Sequence, residues 1–79
     1  MKEGIHATKL GYEIRLYRNR HNMSQQAFDD LLGVSANTVH LWERKGARPS
    51  MSSMVALARV MEIPLDKIMR DSMTDYTDI

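Results

Sequence analysis

Residues 24–45 read SQQAFDDLLGVSANTVHLWERK, and this stretch decides the fold. Ser24 has a hydroxyl suited to accept an orphan backbone N–H at a helix start. Phe28, Leu31 and Leu32 follow as the apolar side of a short helix. Gly33 ends it, since glycine takes positive φ without penalty. Ser35 supplies a second cap two residues later, so a third helix is expected from there to about Lys45, with Gly46 as its terminator. One short helix is thereby held across another by a tight turn.

A helical wheel assigns the sides of that third helix. Steps of about 100° from Ala36 bring Val39 and Trp42 together, with Thr38 and Glu43 beside them. Ala36, Asn37, His40, Leu41 and Arg44 share the opposite arc, which carries no acid. A face that only met water would ordinarily bear Glu as well as Lys. The arc suits the major groove of DNA instead. Asn37 can pair with adenine N6 and N7, Ala36 and Leu41 can meet a thymine methyl, and His40 can donate to a guanine acceptor. Arg44, nearer the helix end, is placed against a phosphate, as is Thr38 at the edge of the arc. The N–H groups opening the second helix, with Gln25 beside them, make a further anion site. Lys45 and Arg48 flank Gly46 in the next loop and are assigned to the phosphate backbone. Phosphate contacts fix register and base contacts discriminate sequence.

Around this unit the pattern remains helical. Leu10, Ile14 and Tyr17 line one side of a segment from Leu10 to His21, which stops near Asn22. Ser50 caps a fourth helix with Met54, Leu57, Ala58 and Met61 on its apolar stripe. Pro64 opens a fifth with Leu65, Ile68 and Met69. The expectation is an all-α, compact five-helix bundle. Residues 1–8 read as a flexible arm, 9–70 as the helix-turn-helix domain and 71–79 as a short acidic, disordered tail.

Composition narrows the class. Seventy-nine residues support one domain, which buries about 60% of its extended surface. There is no cysteine, which excludes disulfides and thiolate metal sites and points to a reducing, cytoplasmic setting. No apolar run approaches the roughly 20 residues of a membrane span, and MKEGIHATKL lacks a secretory apolar stretch. The net charge is only +1, but all eleven Lys and Arg lie within residues 1–70 against seven acids. That balance permits nucleic-acid binding.

Catalysis finds no support. His6, His21 and His40 lack the close spacing of a zinc motif. Asp29 and Asp30 are adjacent and point about 100° apart on a helix. No triad and no glycine-rich phosphate loop is present. No metal, cofactor or small-molecule ligand is expected. Leu65, Ile68 and Met69 cannot all be covered in so small a bundle, so they are assigned to a two-fold dimer interface.

The stretch from about residue 10 to 69, with IR…R, MSQ, GVS, TV..WE and a G…P loop, resembles the lambda repressor/Cro type of helix-turn-helix domain, the XRE family. The resemblance implies five helices and a transcriptional regulator that binds a pseudo-palindromic DNA operator as a homodimer. It implies that Gln25 contacts phosphate, that Asn37 and its arc read bases, and that Arg18 and Glu43 form an ion pair between the first helix and the third. Asp29 stands where the family usually has a small residue. That predicts either a wider approach of the second and third helices or a hydrogen bond accepted by Asp29. Tyr17 replaces a common leucine, with its hydroxyl expected to reach the surface. Two other readings share the fold: an autoregulatory, antitoxin-like protein, and a protein-interaction module that no longer binds DNA. The second would carry acids on the 36–44 arc.

Overall fold

The computed structural model describes residues 6–77. The elements run β1 (His6–Thr8), α1 (Lys9–Arg20), α2 (Gln25–Leu32), α3 (Thr38–Arg44), α4 (Met51–Met61), α5 (Leu65–Ser72) and β2 (Asp75–Thr77). Five helices thus form the body. Local chemistry explains most of their ends. The hydroxyls of Thr8, Ser24 and Ser50 accept from the N–H groups of Gly11, Ala27 and Ser53 at 3.0, 3.0 and 3.2 Å. Gly33 closes α2 at φ 73°, and Asn22 and Glu62 are left-handed after α1 and α4 at φ 55° and 58°.

The core gathers Leu10 and Ile14 from α1, Phe28 from α2, Val39 and Trp42 from α3, Leu57 and Met61 from α4 and Ile68 from α5. Two side chains depart from the apolar stripes read in the sequence. Leu31 is exposed whereas Asp29 is buried. The buried arc of α2 runs through Phe28, Leu32 and Asp29 and so turns Leu31 outward. Ile68 is fully buried, so it serves the core of its own chain and is not available to a partner. One turn of α5 faces inward at Ile68, and Leu65 and Met69 remain exposed on either side. Tyr17 differs too: its hydroxyl donates to the Val60 carbonyl at 3.2 Å instead of reaching the surface.

The largest departure is at the two ends. Segments read as a free arm and a frayed tail contain β1 and β2, which pair antiparallel with Ala7 opposite Tyr76 and Thr8 opposite Asp75. Residues 1–5 and 78–79 of those segments lie outside the described residues. Two three-residue strands have too little alternation to register as a pattern, and alone they would be marginal. A ring stack and a backbone hydrogen bond fasten them. Tyr76 stacks on Tyr12 of α1 with ring centroids 4.2 Å apart. The Lys9 N–H donates to the Thr74 carbonyl at 2.7 Å. Among the described residues, no helix is long and apolar enough to cross a membrane.

Candidate nucleic-acid interface

The turn between α2 and α3 is built differently from its sequence pattern. Ser35 does not cap α3. Instead, residues 35–38 form a turn closed by the Thr38 N–H on the Ser35 carbonyl at 3.2 Å, and α3 begins at Thr38. Asn37 sits at φ 76°, ψ 1°, left-handed, which are the angles of the third residue of a type II turn, a place that glycine or asparagine takes. The N–H groups that a helix start leaves unpaired are met from outside. Asp29 Oδ2 accepts from the Asn37 N–H at 3.0 Å, and Oδ1 from the Val39 N–H at 2.8 Å. Hydrogen bonds to a carboxylate contribute about 1.5–3 kcal/mol each. Together they outweigh the roughly 1–2 kcal/mol cost of a left-handed non-glycine residue. Of the two outcomes that Asp29 presented in the sequence, the structure takes the hydrogen bond.

The inner side of α3 is fixed with equal care. Val39, Trp42 and Glu43 are buried. Arg18 grips Glu43 through Nε–Oε2 at 2.8 Å and Nη2–Oε1 at 2.9 Å, and its Nη1 donates to the Met23 carbonyl at 2.8 Å. The Glu43 side chain is 1% exposed and that of Arg18 13%, so this is an interior pair. Its hydrogen bonds to Glu43 raise the pKa of Arg18, against the opposing effect of burial. Gln25, half-buried at the start of α2, donates its amide to Glu43 Oε1 at 3.1 Å, a contact with no signal in the sequence. One amide hydrogen is thereby used and the second remains.

What α3 offers outward is a mixed set. His40 is half-buried, and Leu41 and Arg44 are exposed. Ala36 and Asn37 are also exposed, but they belong to the turn before the helix, so the wheel that grouped them with His40 holds only from Thr38 onward. Thr38 is half-buried. No acid joins this surface within residues 36–44, because Glu43, the one acid there, points inward to Arg18.

Lys45 and Arg48 are exposed on the loop after α3. Gly46, at φ 72°, turns the chain there. Arg48 Nε donates to the Ser72 carbonyl at 3.1 Å, which anchors the loop to the end of α5. A groove of about 410 Å³ separates this loop from the terminal strands and is lined by Lys45, Gly46, Arg48, Ala7, Thr8, Asp75 and Tyr76. The structure therefore gathers Ala36, Asn37, His40, Leu41, Arg44, Lys45 and Arg48 around α3 and its flanking turns. It keeps Leu65 and Met69 apart, on α5. Among the described residues, no group of His, Asp and Glu is arranged to hold a metal ion.

No curated protein and no solved structure matches the chain. A family model described as helix-turn-helix matches residues 14–68, which takes in most of α1, the whole α2–turn–α3 unit, α4 and the first half of α5. With that match over more than half its length, the chain belongs to the helix-turn-helix family of lambda repressor/Cro (XRE) type, whose members are DNA-binding regulators of transcription.

Proposed function

We propose that the protein is a repressor that binds a pseudo-palindromic operator as a dimer, with residues 35–45 in the major groove. The observation that carries this reading is the division of α3: an interior side held by Val39, Trp42 and the Arg18–Glu43 pair, and an outward side without an acid. Ala36, Asn37, His40 and Leu41 read base edges. Gln25, through its second amide hydrogen, and Thr38, Arg44, Lys45 and Arg48 contact phosphates. A rigid seat for α3 supports sequence discrimination, because base contacts need the helix held in one orientation.

The dimer uses the exposed side of α5, with Leu65 and Met69 as its apolar residues. Two-fold symmetry then sets the reading segments about 34 Å apart, one turn of B-DNA. Selection of bound sequences from a random DNA pool tests the reading. The expected product is a pair of inverted half-sites one helical turn apart, bound with a steep salt dependence. A pool that returns no preferred sequence would overturn it. A single half-site bound by a protein that sediments as a monomer on DNA would overturn the dimer.

A further inference from the structure

The sequence pattern starts α3 from a cap at Ser35, whereas the structure starts it at Thr38. Ser35 has the side chain and spacing of a cap, yet it is exposed and its side chain closes no hydrogen bond that starts α3. The Asn37 side chain makes no capping bond either. The acceptor at the start is Asp29, a carboxylate 1% exposed on the preceding helix, whose two oxygens take the N–H groups of Asn37 and Val39. Thr38, between them, is satisfied by Ser35. Three consecutive N–H groups are thus paired only while Asn37 stays left-handed. Among the described residues, no Lys or Arg forms an ion pair with Asp29, so its compensation comes from these N–H groups at the positive end of α3.

Without Asp29, the same N–H groups lose their acceptor, and the hydroxyl of Ser35 is the nearest replacement the sequence offers. A start at Ser35 requires Ala36 and Asn37 in the right-handed helical region. That change adds two residues, about half a turn, to α3 and swings the Asn37 side chain to a different direction.

We propose that Asp29 is a positioning residue that holds the start of α3 at Thr38 and so determines which base Asn37 meets. The second half of this statement rests on the reading of Asn37 as a base contact, and the first half does not. Two kinds of measurement therefore separate them. Backbone chemical shifts of the free protein report the helix start without DNA. In the unaltered protein, Asn37 is expected to show non-helical shifts and slow exchange of the Val39 amide. In Asp29→Ala, Ala36 and Asn37 shift to helical values, and adding Ser35→Ala reverses that shift. Ser35→Ala alone leaves the spectrum of residues 36–39 in place. Should Asp29→Ala fail to fold, Asp29→Asn keeps the shape of the side chain while setting an amide NH2 against one of the two N–H groups, and the same displacement at 36–37 is expected. Shifts at 36–37 unchanged in these variants would overturn the proposal.

Selection from a random DNA pool then tests the second half. Asp29→Ala is expected to lose at least about tenfold in affinity for the sequence preferred by the unaltered protein. Binding to random DNA should change less than about twofold, and the pool should return a different base at one position of each half-site. An altered helix start with an unchanged base preference would overturn the link to Asn37. Absence of any sequence preference in the unaltered protein would sink the DNA-reading proposal itself, with the chemical shifts still deciding what sets the start of α3.

Discussion

Gly11 of α1 lies directly against the backbone carbonyl of Trp42 in α3, so closely that a Cβ at position 11 would collide with that oxygen. The helices α1 and α3 touch backbone to backbone there. This contact brings α3 close enough for Arg18, two turns further along α1, to reach Glu43.

A matched pair of substitutions separates this packing role from simple conformational freedom. Gly33→Ala meets nothing within 4 Å, but it stands at φ 73°, so it is expected to cost roughly 1–2 kcal/mol for the left-handed backbone alone. Gly11 is helical and would welcome alanine on propensity grounds. The clash with a backbone atom reverses that preference, and Gly11→Ala is expected to cost about 1–3 kcal/mol. Urea unfolding of both variants decides. A stabilised Gly11→Ala protein would show that the two helices can separate freely.

The Arg18–Glu43 pair is an interior one, and its loss should be felt accordingly. Arg18→Ala leaves the Glu43 carboxylate, among the described residues, with the Gln25 amide as its remaining side-chain partner. A destabilisation of about 3–5 kcal/mol is expected, as for other interior pairs broken on one side. That is well beyond the 0–1 kcal/mol or so of a surface pair. Replacing both residues, Arg18→Met with Glu43→Leu, should recover most of the loss. Equal losses in the single and double variants would mean that the pair itself carries the stability.

Much of this was legible in the sequence, and the limits were physical. The five helices, the Ser24 and Ser50 caps, Gly33 and Gly46, and the inward Val39 and Trp42 follow from local chemistry that acts within four residues. The start of α3 does not, because the carboxylate that meets its N–H groups, Asp29, comes from another helix across a turn and Ser35 supplies no cap. The β1–β2 pairing joins residues some 70 positions apart with almost no alternation to announce it. Its anchor, Tyr76 on Tyr12, is a contact between two residues that lie on none of the apolar stripes. Ile68 reads as outward because three apolar residues on α5 exceed what so small a bundle is expected to cover, but the other helices leave a place for it. The base and phosphate roles rest on chemistry that no intramolecular contact reports.

A second charged cluster predicts a pH effect away from α3. Lys67 of α5 bridges Glu13 of α1 at 3.2 Å and Asp71 of its own helix. Burial, with Asp71 beside it, raises the pKa of Glu13 above its ordinary 4.5. Its Oε1 is buried without a hydrogen-bond partner among the described residues, and a proton there turns it into a donor. For Asp71, burial opposes ionisation, but the Lys67 ammonium and a hydrogen bond from Glu13 prevail and hold its pKa below 3.8. The signs are opposite. The contribution of Asp71 is present above pH 3.8 and is lost as pH falls through its lowered value. That of Glu13 is present below pH 4.5 and is lost as pH rises through its raised value. Glu13→Gln, which cannot ionise, is therefore expected to gain stability relative to the unaltered protein as pH goes from 4 to 7. Asp71→Asn should lose stability at pH 7. Urea midpoints at the two pH values test both, and a Glu13→Gln difference that does not change with pH would contradict the assignment.

Asn37 and Lys45 provide the sharpest separation of the two kinds of DNA contact. Asn37 is exposed in a backbone conformation held from outside the helix, and its amide is suited to a bidentate pair with adenine. Asn37→Ala is expected to cost about 1–3 kcal/mol on the selected operator and little on random DNA. Lys45, exposed at the end of α3, meets phosphate in this reading. Lys45→Ala should weaken both complexes by similar factors and lower the salt slope by about one unit. Affinities measured over a range of salt on both DNAs give the four values needed. Equal losses for Asn37→Ala on operator and random DNA would remove it from base reading. A Lys45→Ala effect confined to the operator would move that residue from the backbone to the bases.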